Sequence, residues 1–190
     1  KKFTQTWTNN MRETKGPIVK ANKCKQGYTQ VKWIADMKYF GIDAYSEDVV
    51  SVFHKYAYDA ALITGVTVYF NDVRIKLNTL YDYSKMFNTT TNNTRITLTT
   101  DTCEILLTPQ DSKESGFEHV SFVNGNFTKS GGVHVDSWCE TLFRPIVEYV
   151  NGKSKTKSKI NITDVKNVFR IFIITRVTRP EFDSQNKHRL

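Results

Sequence analysis

The chain is 190 residues long, 39% of them apolar, with three cysteines and a formal net charge of +8. That is enough apolar material for one good core or two small ones, and it excludes a disordered, collagen-like or disulfide-framed chain. Its longest apolar stretch, residues 169–177 (FRIFIITRV), is broken by two arginines and falls far short of the roughly 20 residues a membrane span needs, so no membrane association is expected.

Cys24, Cys103 and Cys139 lie far apart, without the paired spacing of a zinc site or a disulfide frame, and a reducing, intracellular setting is expected. Four N-x-Ser/Thr sequons, at Asn88, Asn92, Asn126 and Asn161, reflect an Asn/Thr-rich composition. The start at Lys1 without a methionine suggests a piece of a longer protein. The positive charge favours polyanions, without separating nucleic acid from anionic lipid or acidic protein.

In chain order, residues 1–35 read as an antiparallel meander. Its strands lie around Phe3, Gln5 and Trp7, around Ile18 and Val19, and around Tyr28, Val31, Trp33 and Ile34, with Gly16-Pro17 and Gln26-Gly27 as breakers. Ser46-Glu47-Asp48 opens a helix whose apolar face is Val49, Val52, Phe53, Tyr56, Ala57, Ala60 and Ile63, ending before Gly65. Residues 66–70 and 73–77 flank the polar pair Asn71-Asp72, a hairpin signal. Residues 80–87 suggest a short helix, and the Asn/Thr run 88–94 a loop and domain boundary.

Residues 95–100 and 103–108 form a second predicted hairpin, followed by a polar loop over 109–116 and a strand over 117–123 (FEHVSFV). The clearest helical period in the chain covers residues 130–150, opened by Gly131-Gly132. Val135, Trp138, Leu142, Phe143, Ile146, Val147 and Val150 repeat there at three-and-four spacing, and Gly152 closes it. Pro145 inside it is a kink position. A strand feeding a buried helix through a glycine turn suggests an α/β unit. A lysine-rich loop, a short segment over 161–168, the strand 169–177 and a polar tail complete the chain.

Taken alone, these residues spell no active site. The histidines at 54, 119, 134 and 188 lack a partner at any recognised catalytic spacing. His134 and Asp136 could share a metal, or could serve the first turn of the helix. Lys153, Lys155, Lys157 and Lys159 alternate with small residues. In an extended loop they would project to one side about 6 to 7 Å apart, a row suited to a phosphate backbone or simply a solvated surface. In the tail, Gln185 and Lys187 offer a neutral donor and a point charge suited to a terminal phosphate, although a polar terminus would look the same.

Six stretches match one family together and in order: FTQTWTNNM (3–11), AYDAA (57–61), GFEHVSFVNG (116–125), GGVHVD (131–136), VKN (165–167) and FDSQNK (182–187). The chain resembles the ATPase region of type IIA DNA topoisomerases, nearer the eukaryotic type II enzyme. Its lysine- and asparagine-heavy composition suggests the version carried by a large DNA virus.

The resemblance implies an α+β or α/β fold. Residues 1–80 would be the C-terminal part of a GHKL (Bergerat) ATPase sandwich, and residues 81–190 a transducer domain like ribosomal protein S5 domain 2, ending in the switch loop. It implies an ATP-dependent isomerase acting by double-strand passage, with ATP and Mg2+ as cofactors of the whole protein. Gln185 and Lys187 would meet the γ-phosphate, and Lys153, Lys155 and Lys157 would meet double-stranded DNA.

No catalytic residue or metal ligand is expected among these 190. The Asn/Glu helix, the glycine-rich lid and the cleavage tyrosine are not among them, so no ATP binding is expected from this stretch alone. The whole protein is expected to be a homodimer through its ATPase region, acting in the nucleus or at a cytoplasmic virus replication site. The alternative is a non-enzymatic basic S5-like module that binds nucleic acid. Two departures stand out: Asn186 takes the middle place of the family's Gln-Thr-Lys triplet, and Val133 follows the glycine pair where a polar or basic residue is common.

Overall fold

The computed structural model describes residues 1–87, 94–110, 116–155 and 158–190. Almost all of the loop read over 88–94, most of that over 109–116, and Lys157 therefore lie outside the described residues. The chain forms two compact units, Lys1–Ser51 and Val52–Leu190.

In the first unit, β1 (Lys2–Thr8) pairs antiparallel with β2 (Glu13–Lys20), placing Phe3 opposite Val19 and Trp7 opposite Thr14. Asn9 and Asn10 take the turn at positive φ, a conformation their short polar side chains tolerate. The meander expected over 1–35 stops at this hairpin. Residues 21–36 contain no strand, and Val31, Trp33 and Ile34 are exposed, so their apolar alternation finds no facing strand among the described residues. A four-residue helix, α1 (Met37–Phe40), is capped by the Asp36 carboxylate on the Tyr39 amide and closed by Gly41 in the left-handed region. The long helix α2 (Glu47–Thr64) begins where Ser46 offers its hydroxyl to the Val49 amide, with two acids in the first turn.

The second unit is built on a five-stranded mixed sheet in the order β5-β6-β9-β7-β8. The strands are β5 (Ile96–Thr99), β6 (Cys103–Pro109), β7 (Glu118–Val123), β8 (Asn126–Phe127) and β9 (Phe169–Thr175). β9 lies antiparallel to β6 and parallel to β7, so β7, β8, the helix α4 (Val133–Lys153), the short helix α5 (Ile162–Lys166) and β9 form a crossover unit. The α/β expectation for this stretch is met.

Both faces of the sheet are covered, and the period-two alternation shows how. Leu106, Phe172 and Val120 are register partners across three strands and pack on one side with Phe122, Ala61, Ile75, Leu77, Leu80 and Tyr83. That side is covered by α2, by the short hairpin β3 (Tyr69–Phe70) and β4 (Val73–Arg74), and by α3 (Leu80–Ser84). Asn71 and Asp72 both adopt positive φ in the β3-β4 turn, as a two-residue hairpin requires.

The alternate residues Ile105, Leu107, Ile171 and Ile173 pack on the opposite side with Val135, Cys139 and Phe143 of α4 and Val165 of α5. Phe143 stacks on Phe169 with ring centroids 5.9 Å apart. The buried seam of α4 is thus Val135, Cys139 and Phe143, at i, i+4 and i+8, while Leu142 and Ile146 are half-buried at its flank. α4 continues through Pro145 as one helix.

Candidate functional site

The candidate site is the polar segment that follows β9, together with the surface that holds it. At the end of β9 the chain is clamped by Asn124, whose side chain donates to the Val177 carbonyl at 2.8 Å and accepts from the Val177 amide at 2.9 Å. A side-chain amide here does the work of one more rung of sheet. The segment then turns back to the entry of α4. There the Ser130 amide donates to the His188 carbonyl at 2.8 Å, the Leu190 amide to the Gly131 carbonyl at 3.2 Å, and the Val133 amide to the Leu190 carbonyl at 3.2 Å.

Between these anchors the chain closes into a turn. The Asp183 amide donates to the Arg189 carbonyl at 3.2 Å, and the Lys187 amide to the Ser184 carbonyl at 3.0 Å. Gln185 and Lys187 both stand exposed on this turn, with Lys187 in the left-handed region at φ 56° and its ammonium 5.9 Å from the Phe182 ring centre. An amide and an ammonium are brought to one exposed loop on a pinned stem. They amount to donors for an anion, not to a pocket.

Beneath the glycine pair lies a polar cluster that sequence reasoning set aside. His134 is buried, with Nε2 3.2 Å from the Thr128 hydroxyl, which itself donates to the Ser121 carbonyl at 3.0 Å. That arrangement leaves the Thr128 oxygen as acceptor and His134 Nε2–H as donor. Burial chiefly, with the neighbouring His119 adding to it and Asp136 opposing, pulls the His134 pKa down to about 4. His119 is shifted down by burial first, with Asp136 raising and Lys166 lowering its affinity for a proton.

Lys166 lies 3.6 Å from the Asp136 carboxylate and 4.9 Å from the Phe117 ring centre. His134 and Asp136 do not converge on a metal position: among the described residues no group of three or more His, Cys, Asp or Glu could hold a metal ion. The sequence signals that point here are the His134/Asp136 pair and Gly131-Gly132, which opens the helix and begins the family-matching stretch GGVHVD.

Among the described residues, Lys153 and Lys159 do not stand in an extended row. Lys153 is the last residue of α4, its ammonium 2.6 Å from the Tyr149 hydroxyl. Lys155 is exposed beyond it, and Lys157 lies outside the described residues. Lys159 is drawn back to donate to the Asn151 carbonyl at 2.6 Å. Asn151 also closes this loop with paired bonds to Ile160, donating to its carbonyl at 2.8 Å and accepting from its amide at 2.9 Å.

The chain as a whole is similar to known proteins. A family model described as DNA gyrase B matches residues 65–190. The DNA topoisomerase 2 of Invertebrate iridescent virus 6 is 39% identical over 197 residues, covering 100% of this chain and 17% of that protein. The DNA topoisomerase 2 of Bombyx mori is 31% identical over 198 residues, covering 100% of this chain and 13% of that protein. The chain therefore spans less than a fifth of the length of these curated relatives. The crystal structure of the ATPase region of Saccharomyces cerevisiae topoisomerase II matches with a TM-score of 0.84 at 25% identity, over 99% of this chain and 48% of that one. The fold expected from the resemblance is borne out. All three relatives are topoisomerases by name.

Proposed function

The chain belongs to the DNA gyrase B family, and we propose that it is the part of an ATP-dependent type IIA DNA topoisomerase that couples ATP binding and hydrolysis to passage of one duplex through a transient break in another. In this assignment residues 1–80 are the end of the GHKL domain and residues 81–190 the transducer. The whole protein is an intracellular homodimer, acting in the nucleus or at a virus replication site. A relative from an iridescent virus at 39% identity supports a viral version.

The observation that carries the proposal is the exposed turn bearing Gln185 and Lys187, on a stem hydrogen-bonded to Ser130, Gly131 and Val133. ATP, with Mg2+ on its phosphates, supplies a terminal phosphate that exists only before hydrolysis. Lys187 offsets the charge that develops on that group, and Gln185 holds its oxygens by neutral donation. Two exposed donors fit the end of a triphosphate whose adenine and metal are held by other parts of the parent protein. When the contact is lost, the turn is released, an order-and-release switch of the kind used by nucleotide-driven proteins. At the other end of α4, Lys153, Lys155 and Lys157 meet the phosphates of double-stranded DNA.

The test is Lys187→Ala in the full-length enzyme. ATP turnover and strand passage should fall by roughly tenfold to a thousandfold, the scale of one preorganised charge contact, while DNA cleavage survives. ATP turnover and relaxation at the wild-type rate would refute the coupling role.

A further inference from the structure

α4 begins without a side-chain cap of its own. Gly132 stands at the N-cap with nothing to offer, and the first helical amide, that of Val133, donates instead to the Leu190 carbonyl. A backbone group far along the chain thus satisfies a donor that helix geometry leaves orphaned. Close approach of this kind needs glycine. A Cβ on Gly132 would fall on the Leu190 carbonyl, and one on Gly131 would come within 2.5 Å of His119 Nε2. Both glycines also have positive φ, 67° and 132°, where other residues are strained.

We propose that Gly131 and Gly132 are positioning residues for Lys187. They form a seat on which residues 188–190 lie, and the seat, rather than the turn's own sequence, sets where the ammonium stands. The proposal rests on the reading that Lys187 meets a terminal phosphate. The geometry connects the two directly: the turn is closed by Asp183 on Arg189 and Lys187 on Ser184, so displacing the 188–190 stem displaces Lys187 with it. The same seat caps α4, whose last residue is Lys153. Release of the turn therefore uncaps the helix that carries the lysine segment at its far end.

The experiment uses the full-length enzyme with Gly132→Ala, Lys187→Ala and the two combined, measured for ATP turnover, KM for ATP, and DNA cleavage without ATP. Gly132→Ala should lower kcat by about tenfold or more, with KM for ATP changing less, because only the terminal-phosphate contact is misplaced. The double variant should lose no more than Lys187→Ala, as expected when both changes remove one interaction. Cleavage should be unchanged.

Wild-type kcat in Gly132→Ala beside an impaired Lys187→Ala, or losses that multiply, would overturn the seat while leaving the functional assignment standing. A silent Lys187→Ala would overturn that assignment and, with it, the positioning role. Should Gly132→Ala not fold, amide hydrogen exchange on the wild-type enzyme decides. Peptides spanning 130–133 and 188–190 should be protected together, and exchange of either at the unprotected rate overturns the seat.

Discussion

His134 makes a quantitative prediction about pH. It is 8% exposed, its Nε2 is committed to Thr128, and its Nδ1 is buried without a hydrogen-bond partner among the described residues. Protonation would place a charge at Nδ1 with no acceptor, beside the positive end of α4. The folded chain accordingly resists protonation down to about pH 4, against 6.5 for the ordinary group. Between those values the unfolded chain binds the proton and the folded chain does not, so falling pH favours unfolding. The contribution to stability is intact above pH 6.5 and is lost progressively toward pH 4.

At about 1.36 kcal/mol per pKa unit, the loss between pH 7.5 and pH 5 comes to about 2 kcal/mol, a large share of the roughly 5–15 kcal/mol typical of a domain. His134→Gln cannot titrate, yet its amide can still donate to Thr128. Urea midpoints at both pH values, compared at constant m, should show the variant losing about 2 kcal/mol less than the parent chain. His119 contributes with the same sign in both chains and cancels. Equal losses, or an NMR titration of His134 centred near pH 6.5, would refute the account.

Phe143→Ala removes a fully buried ring from the C-terminal end of the α4 seam and should cost about 3–5 kcal/mol by denaturant unfolding. Leu142→Ala and Ile146→Ala, at half-buried positions, should cost less. Equal costs at all three would place the seam wrongly. Replacing Lys153, Lys155 and Lys157 together should shallow the salt dependence of DNA binding by about 0.9 per phosphate contact, near 3 units of slope, and an unchanged slope would leave them a solvated surface.

Some elements were legible because their signals are local. The three-and-four spacing from Val135 to Val150 produced α4, Asn71-Asp72 produced its hairpin, and the acids after Ser46 marked the start of α2. The same kind of signal misled where its partner was missing. Tyr28, Val31, Trp33 and Ile34 alternate like a strand, but strand formation depends on a paired neighbour, and residues 21–36 pair with no strand among the described residues. Lys153 and Lys159 depart from an extended row for a related reason: α4 runs to Lys153, and Lys159 donates to the Asn151 carbonyl near the helix end.

By itself the sequence determined the predicted hairpins and the two long helices, whose signals lie within a few positions of one another, and the family, which rests on six short stretches met in order along the chain. Tertiary structure alone decided that β9, last in sequence, lies between β6 and β7, and that Val135, Cys139 and Phe143 rather than Leu142 and Ile146 form the buried seam. It also turned Gly131-Gly132 from a helix start into the place where residues 188–190 dock. The physical reason is the same in each case: which face is buried and which backbone donor is satisfied depends on segments tens of residues away, brought together only when the sheet closes over both of its faces.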